Sequence, residues 1–245
     1  MSPSILITGA SSGIGAAVAD RFLENGWTVG LLARRADKLE DARGGRANGC
    51  VLKADVSDPA AVDTAFADFF GKAGRLDVLF NNAGIFVPAA LIDEVPISDW
   101  EKAVSVNLTG MFLAARAAFG QMRRQDPAGG RIINNGSISA HVPREGAVCY
   151  TATKHAITGL TRQLSLDGRD LGVACGQIDI GNARTEILEG IDAKARAAKP
   201  DAPPTPMIDT ETVADAVWQM ANLPLEANVQ FMTLMATRMP YIGRG

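Results

Sequence analysis

Tyr150 and Lys154 stand four residues apart in the run Tyr150-Thr151-Ala152-Thr153-Lys154, at the head of a helical pattern. On a helix that spacing puts both side chains on one face. An ammonium beside a phenol favours the phenolate, so the lysine is expected to draw the tyrosine pKa down from about 10 toward neutrality. A tyrosine tuned this way gives or takes a proton at a carbonyl–alcohol centre. The chain holds two tyrosines, and the other, Tyr241, sits in a glycine-containing tail. Upstream, Arg131-Ile132-Ile133-Asn134-Asn135-Gly136-Ser137 reads as a buried strand ending in a hydroxyl, thirteen residues before Tyr150. Open α/β sheets bind ligands at the carboxyl ends of their strands. Ser137 is therefore the expected partner hydroxyl, with Ser139 as the weaker alternative.

A second constellation lies near the N-terminus. The first strand runs into Thr8-Gly9-Ala10-Ser11-Ser12-Gly13-Ile14-Gly15, where a helix opens. Small residues let a backbone approach a pyrophosphate, and the helix start supplies free N–H groups and partial positive charge. The spacing is G-x-x-x-G-x-G, unlike the commoner G-x-G-x-x-G dinucleotide fingerprint. At the end of the second strand an acidic residue would bond ribose hydroxyls, whereas arginine accommodates a 2′-phosphate. The sequence there is Leu32-Ala33-Arg34-Arg35, with no carboxylate before Asp37, which favours NADP(H) and leaves NAD(H) open.

These residues need a scaffold. Apolar runs at 5–8, 27–33, 49–54, 76–81, 131–136, 173–180 and 228–234 read as strands, and helical patterns fall at 13–25, 59–71, 98–123, 150–171 and 210–222. Strands apolar on both faces, separated by helices, predict an α/β fold: a doubly wound parallel sheet covered on both sides. No linker or repeat divides the 245 residues, so one domain is expected. Residues 197–208 carry Pro200, Pro203, Pro204 and Pro206 and are read as part of a substrate flap over 182–208. Glycine makes up 25 of 245 residues, about a tenth against an average of roughly 7%, which suits close backbone approaches. A net charge of −3 argues against nucleic acid as partner. Cys50, Cys149 and Cys175 form neither a disulfide framework nor a metal knuckle, and Cys149 is read as packed and inert. His141 and His155 are poor catalytic candidates and no metal site is expected. No apolar run approaches the ~20 residues of a membrane span, so a soluble, cytoplasmic protein is expected.

With these motifs in order the chain resembles the short-chain dehydrogenase/reductase family over essentially its whole length. The matching residues are the glycine-rich turn, Asp55-Val56, Asn81-Asn82-Ala83-Gly84, Val106-Asn107, Ser137 and Tyr150 to Lys154. The resemblance implies a Rossmann-type single domain and hydride transfer between a nicotinamide and a carbonyl or alcohol carbon of a small molecule. It assigns Tyr150 as acid/base and Ser137 as the donor that polarises the substrate oxygen. Lys154 then holds the nicotinamide ribose, Asn107 fixes a water in the proton relay, Asp55 contacts the adenine, and Asn81 to Gly84 line the cofactor channel. It also implies subunit contacts through the helices at 98–123 and 150–171, in a homotetramer or homodimer. One departure stands at Asp179-Ile180-Gly181-Asn182-Ala183-Arg184-Thr185, where Ile180 replaces the family's usual proline while Gly181 and Thr185 keep their places for the nicotinamide carboxamide. The alternative in another class is a non-catalytic dinucleotide-binding regulator on the same fold. The set Asn107, Ser137, Tyr150 and Lys154 argues for the enzyme.

Overall fold

The computed structural model describes residues 2–198 and 203–242. Seven parallel strands form one sheet: β1 (Ser4–Thr8), β2 (Thr28–Ala33), β3 (Gly49–Lys53), β4 (Val78–Asn81), β5 (Gly130–Asn135), β6 (Val173–Ile180) and β7 (Phe231–Leu234), in the order β3-β2-β1-β4-β5-β6-β7. All five residues of β1 are buried because both faces of the sheet are covered. Side chains alternate between the faces. Ile5 and Ile7 enter one core with Val29, Leu31, Phe80 and Ile133, beneath helices α1 (Gly13–Glu24) and α8 (Thr210–Ala221). Leu6 enters the other with Leu32, Leu79 and Ile132, beneath α3 (Pro59–Ala73) and α5 (Met111–Met122). Each such aliphatic side chain contributes about 1.5–3 kcal/mol on full burial. Phe22 meets Trp27 and Trp218 edge-on at 4.8 and 4.9 Å, tying α1 to α8.

Local signals explain the helix starts and stops. Pro59 opens α3 behind Asp58, whose carboxylate accepts from the N–H groups of Ala60 and Ala61 at 2.9 and 3.2 Å. The chain reverses its direction of travel across the sheet between β3 and β4. The carboxyl ends of β1 and β4, side by side, are therefore the switch point at which such sheets take ligands.

The amino ends of the strands carry a separate set of polar fasteners. Arg131 is 2% exposed, and its guanidinium donates to the carbonyls of Leu223, Pro224 and Ala227 and to Asn228 Oδ1. The Gln125 amide donates to Leu76 O and Gly129 O and accepts from Leu76 N–H, while Asp77 accepts from Ser4 N–H.

All seven expected strands form, and the five expected helical stretches are helical. The stretch expected as one helix at 98–123 is three pieces: α4 (Ile97–Val104), a π-helical turn over Ser105–Gly110, and α5. Ile97–Met122 is long and apolar enough to cross a membrane by length and composition. In this fold one face of it packs into the core, with Ala103, Met111, Leu113, Ala114, Ala118 and Met122 buried. Two helices escaped the sequence reading. In α2 (Ala36–Arg43) Leu39 alone is buried, so no apolar period exists to read. In α7 (Glu186–Ala198) the apolar Ile187 and Ile191 remain about half exposed. Part of the expected flap is thus helix, and residues 199–202, including Pro200, lie outside the described residues.

Candidate active site

The site is built at the carboxyl ends of β1, β2, β4, β5 and β6. In the glycine-rich turn Gly9 has φ +71° and Gly13 φ +54°, left-handed conformations that glycine adopts without strain. A Cβ on Gly15 would fall on Gly9 O, and one on Gly13 would press on Thr185 at 3.0 Å. Ser12 is the N-cap of α1 but makes no side-chain capping bond, which leaves the helix's first N–H groups for a ligand. Thr8 Oγ1 accepts from the N–H groups of Asn82 and Ala83 at 2.9 and 3.0 Å, joining the turn to the end of β4. Ser11 and Ile14 are half-buried in the turn and Gly84 is exposed just past β4, while Asn81 turns inward and donates to Met111 O and Asn134 Oδ1. Asn82, which carried no separate role in the sequence reading, donates to Thr8 O at 2.9 Å and accepts from Asn135 at 2.8 Å. It is the bridge between the glycine turn and β5.

The two arginines after β2 bracket the adjoining surface. Arg35 Nη2 donates to Ser11 Oγ at 3.3 Å, and Arg34 Nη1 lies 3.9 Å from Asp55 Oδ2. Burial raises the Asp55 pKa, but bonds from the N–H and hydroxyl of Ser57, with Arg34 nearby, hold it below the usual carboxylate value. Val56 is buried against Gly110, at the end of the π-helical turn.

That turn carries Asn107. Its amide makes a reciprocal pair with Ile85, accepting from the N–H at 2.7 Å and donating to the carbonyl at 2.9 Å. A π-turn is uncommon and recurs at functional positions. It forms where Asn107 is clipped to the segment after β4.

Ser137 lies just past β5 and precedes a short 3-10 turn over Ile138–Ala140. Tyr150 and Lys154 lie in the first turns of α6 (Val148–Gly168). The Ser137 side chain lies beside the Tyr150 phenol and favours its ionised form, and the phenol ring stacks on Phe86 at 4.3 Å. Lys154 is 3% exposed and its Nζ donates to Asn135 O at 2.7 Å. The expected lowering of the tyrosine pKa is not found. Burial raises it, Asp179 adds to the rise, and Ser137 together with Arg144 only partly offsets this. The Lys154 ammonium sits 5.5 Å from the Tyr150 ring centroid. Burial also brings Lys154 down to about 8, opposed by Asp179.

Asp179 is the residue that sequence reasoning passed over. It is 1% exposed, one of its oxygens accepts from Ser137 N–H at 2.9 Å and from Gln177 Nε2 at 2.7 Å, and the other meets His141 Nε2 at 2.8 Å. Gln177 continues inward to Thr158 and Thr161 on α6. Ser139 N–H donates to Ser137 Oγ at 3.1 Å, so Ser139 orients the serine. Cys149 is 2% exposed, in keeping with a packed thiol.

Ile180 ends β6, paired with Leu234 of β7, so the sheet fixes the backbone where the family's proline would. Thr185 packs against Gly13 at the edge of a cleft of about 500 Å³, and its hydroxyl accepts from Leu188 N–H at the start of α7. The segment beyond returns as a bridge between Ala183 and Ile208.

The sequence profile of the short chain dehydrogenases matches residues 3–196. A 3beta-hydroxysteroid dehydrogenase of Mediterraneibacter gnavus is 34% identical over 80% of this chain and 72% of its own length. A serine 3-dehydrogenase of Rhizobium radiobacter is 30% identical over 99% of this chain and 97% of its own. Among solved structures, the closed form of serine dehydrogenase complexed with NADP+ superposes with a TM-score of 0.88 at 27% identity, covering 99% of this chain and 98% of that one.

Proposed function

The chain belongs to the short-chain dehydrogenase family, and from that premise we propose that it moves a hydride between NADP(H) and the carbonyl or secondary alcohol of a small molecule, with Tyr150 as general acid/base. One observation carries the proposal: Tyr150 and Ser137 come together at the sheet's carboxyl edge, with the buried Lys154 ammonium 5.5 Å from the phenol ring.

The residues present fit a dinucleotide. Side chains at Gly9 and Gly15 would run into Ala83 and Gly9 O, so glycine is what lets the turn close this tightly, and Ser12 leaves the α1 N–H groups uncapped. In this reading the turn from Gly9 to Gly15 holds the pyrophosphate, and Arg34 and Arg35 take the 2′-phosphate. Asp55 and Val56 meet the adenine, Ala83 and Gly84 line the channel while the inward-turned Asn81 braces it from behind, Lys154 holds the nicotinamide ribose, and Ile180 and Thr185 hold the carboxamide. The bound nicotinamide supplies or receives the hydride. Ser137 donates to the substrate oxygen, and Tyr150 delivers the proton to the same atom as the carbonyl becomes an alcohol. A phenol whose pKa is raised is protonated at neutral pH, the form that reduction requires. Asn107 keeps the proton path behind Lys154 in place through its clip on Ile85.

The substrate meets Phe86 on the Tyr150 ring, Arg144 on the approach loop and Ile187 on α7. The relatives named for serine and for a steroid support a small hydroxyl or carbonyl compound. Exposed Ile97, Trp100, Phe112 and Leu166 on α4, α5 and α6 support self-association, as in a homotetramer or homodimer, and we place the enzyme in the cytoplasm.

The test is a carbonyl panel followed by loss of NADPH absorbance, repeated with Tyr150→Phe. Removing a positioned acid costs roughly 10²–10⁴-fold, with cofactor binding nearly intact. A phenylalanine variant that keeps more than about a tenth of the rate overturns the assignment.

A further inference from the structure

A single carboxylate holds both ends of the turn that carries the serine hydroxyl. Backbone pairing of β5 with its neighbour ends at Gly136, whose N–H donates to Ile178 O at 2.8 Å. The following N–H, of Ser137, is taken by Oδ1 of Asp179, so a side chain adds one more rung to the ladder. The other oxygen of Asp179 engages the ring of His141, the residue that closes the 3-10 turn over Ile138–Ala140. Asp179 lies directly under Gly136, where any Cβ would collide with its Oδ1 and with Gln177. It is buried beneath backbone and reaches the chemistry through Ser137, whereas the His141 side chain is 39% exposed and marks the outer end of the connection.

We propose that Asp179 is a positioning residue for the reaction: it staples the 137–141 turn at Ser137 N–H and at His141, and so holds the Ser137 hydroxyl against the Tyr150 phenol. The proposal rests on the reading of Ser137 as the donor to the substrate oxygen. Bonds to an ionised oxygen are stronger and shorter than neutral ones, which suits one group to fixing two points. Misplacing a reacting group by an ångström costs about 10²-fold, so releasing the staple should appear in turnover rather than in cofactor affinity.

The experiment is a double-mutant cycle in kcat, with NADPH affinity by fluorescence titration as the control for folding. Asp179→Ala is expected to lower kcat on the order of 10- to 100-fold with NADPH affinity changed less than about threefold. Asp179→Asn keeps an oxygen for Ser137 N–H and should recover the rate to within about fivefold of wild type. In a Ser137→Ala background, measured by single turnover with enzyme in excess, Asp179→Ala should add less than about threefold, because the group it positions is gone. An equal factor in both backgrounds overturns the proposal, and so does an asparagine variant as slow as alanine. A fully active Ser137→Ala overturns the reading of Ser137 and this inference with it. If Asp179→Ala does not bind NADPH, His141→Ala decides: it frees the outer end and should lower kcat at least about threefold, and wild-type turnover overturns the proposal.

Discussion

Cofactor choice is the prediction that the arginines after β2 make most concrete. The strand ends in Ala33, without the carboxylate that would repel a 2′-phosphate. Arg35 gives up a 3.3 Å bond to a neutral hydroxyl, Ser11 Oγ, when it turns to a phosphate. Arg34 gives up a pair with Asp55 at 3.9 Å, with 68% of its side chain exposed, and such a surface pair contributes only about 0–1 kcal/mol. A hydrogen bond to a charged group contributes roughly 1.5–3 kcal/mol. Arg35→Ala should therefore lower kcat/KM for NADPH about 10- to 100-fold, and Arg34→Ala somewhat less, about 3- to 30-fold. Both should move the NADH value less than about threefold, and Ala33→Asp should push the preference toward NADH. Raising salt from about 0.1 to 1 M shortens the Debye length from roughly 10 to 3 Å and should narrow the wild-type gap. The assay is kcat/KM for both cofactors with one substrate at two ionic strengths. Equal wild-type values, an NADH advantage, or variants that lose both cofactors alike would refute the reasoning.

Three further outcomes follow from the site. Lys154, held at about 8, carries its charge below that pH and loses it above, so kcat/KM for the cofactor should fall on the alkaline side with an apparent pKa near that value. Lys154→Arg, charged throughout, should flatten that limb at a lower rate, and an unchanged limb counts against the assignment. Gly15→Ala forces a methyl onto Gly9 O and should abolish NADPH binding, as read by fluorescence titration; retained affinity means that the turn is not the cradle. Limited proteolysis of the cofactor-free protein should cut within 197–208 and be suppressed by NADP with a substrate analogue, whereas equal cutting in both states argues against a flap there.

The architecture was legible because its strands are short, apolar on both faces and separated by helical periods, and because the glycine turn falls at the first junction. What escaped were features set by distant partners. The π-turn at Asn107 depends on Ile85 and on the close approach of Val56 to Gly110, neither visible in the periodicity of 98–123. Asp179 contacts residues 38 and 42 positions away, so no local spacing announces it. A signal was present nonetheless: Gln177 and Asp179 are polar residues two apart on one face of an otherwise apolar strand. Buried polar groups of that kind need partners. The Tyr150–Lys154 spacing gave the correct helix face, but the sign of the phenol's shift depended on burial, which spacing does not contain.

The polar fasteners at the amino ends of the strands have a consequence for how this enzyme can change. Arg131, Gln125 and the Ser4–Asp77 pair bind together segments as far apart as β5 and the loop after α8, and none of them touches the candidate site. These fasteners sit at one rim of the sheet and the candidate site at the other. Substitutions at the proposed substrate positions Phe86 and Ile187 therefore leave those fasteners untouched. A chain organised in this way is free to drift in specificity while its scaffold stays the same.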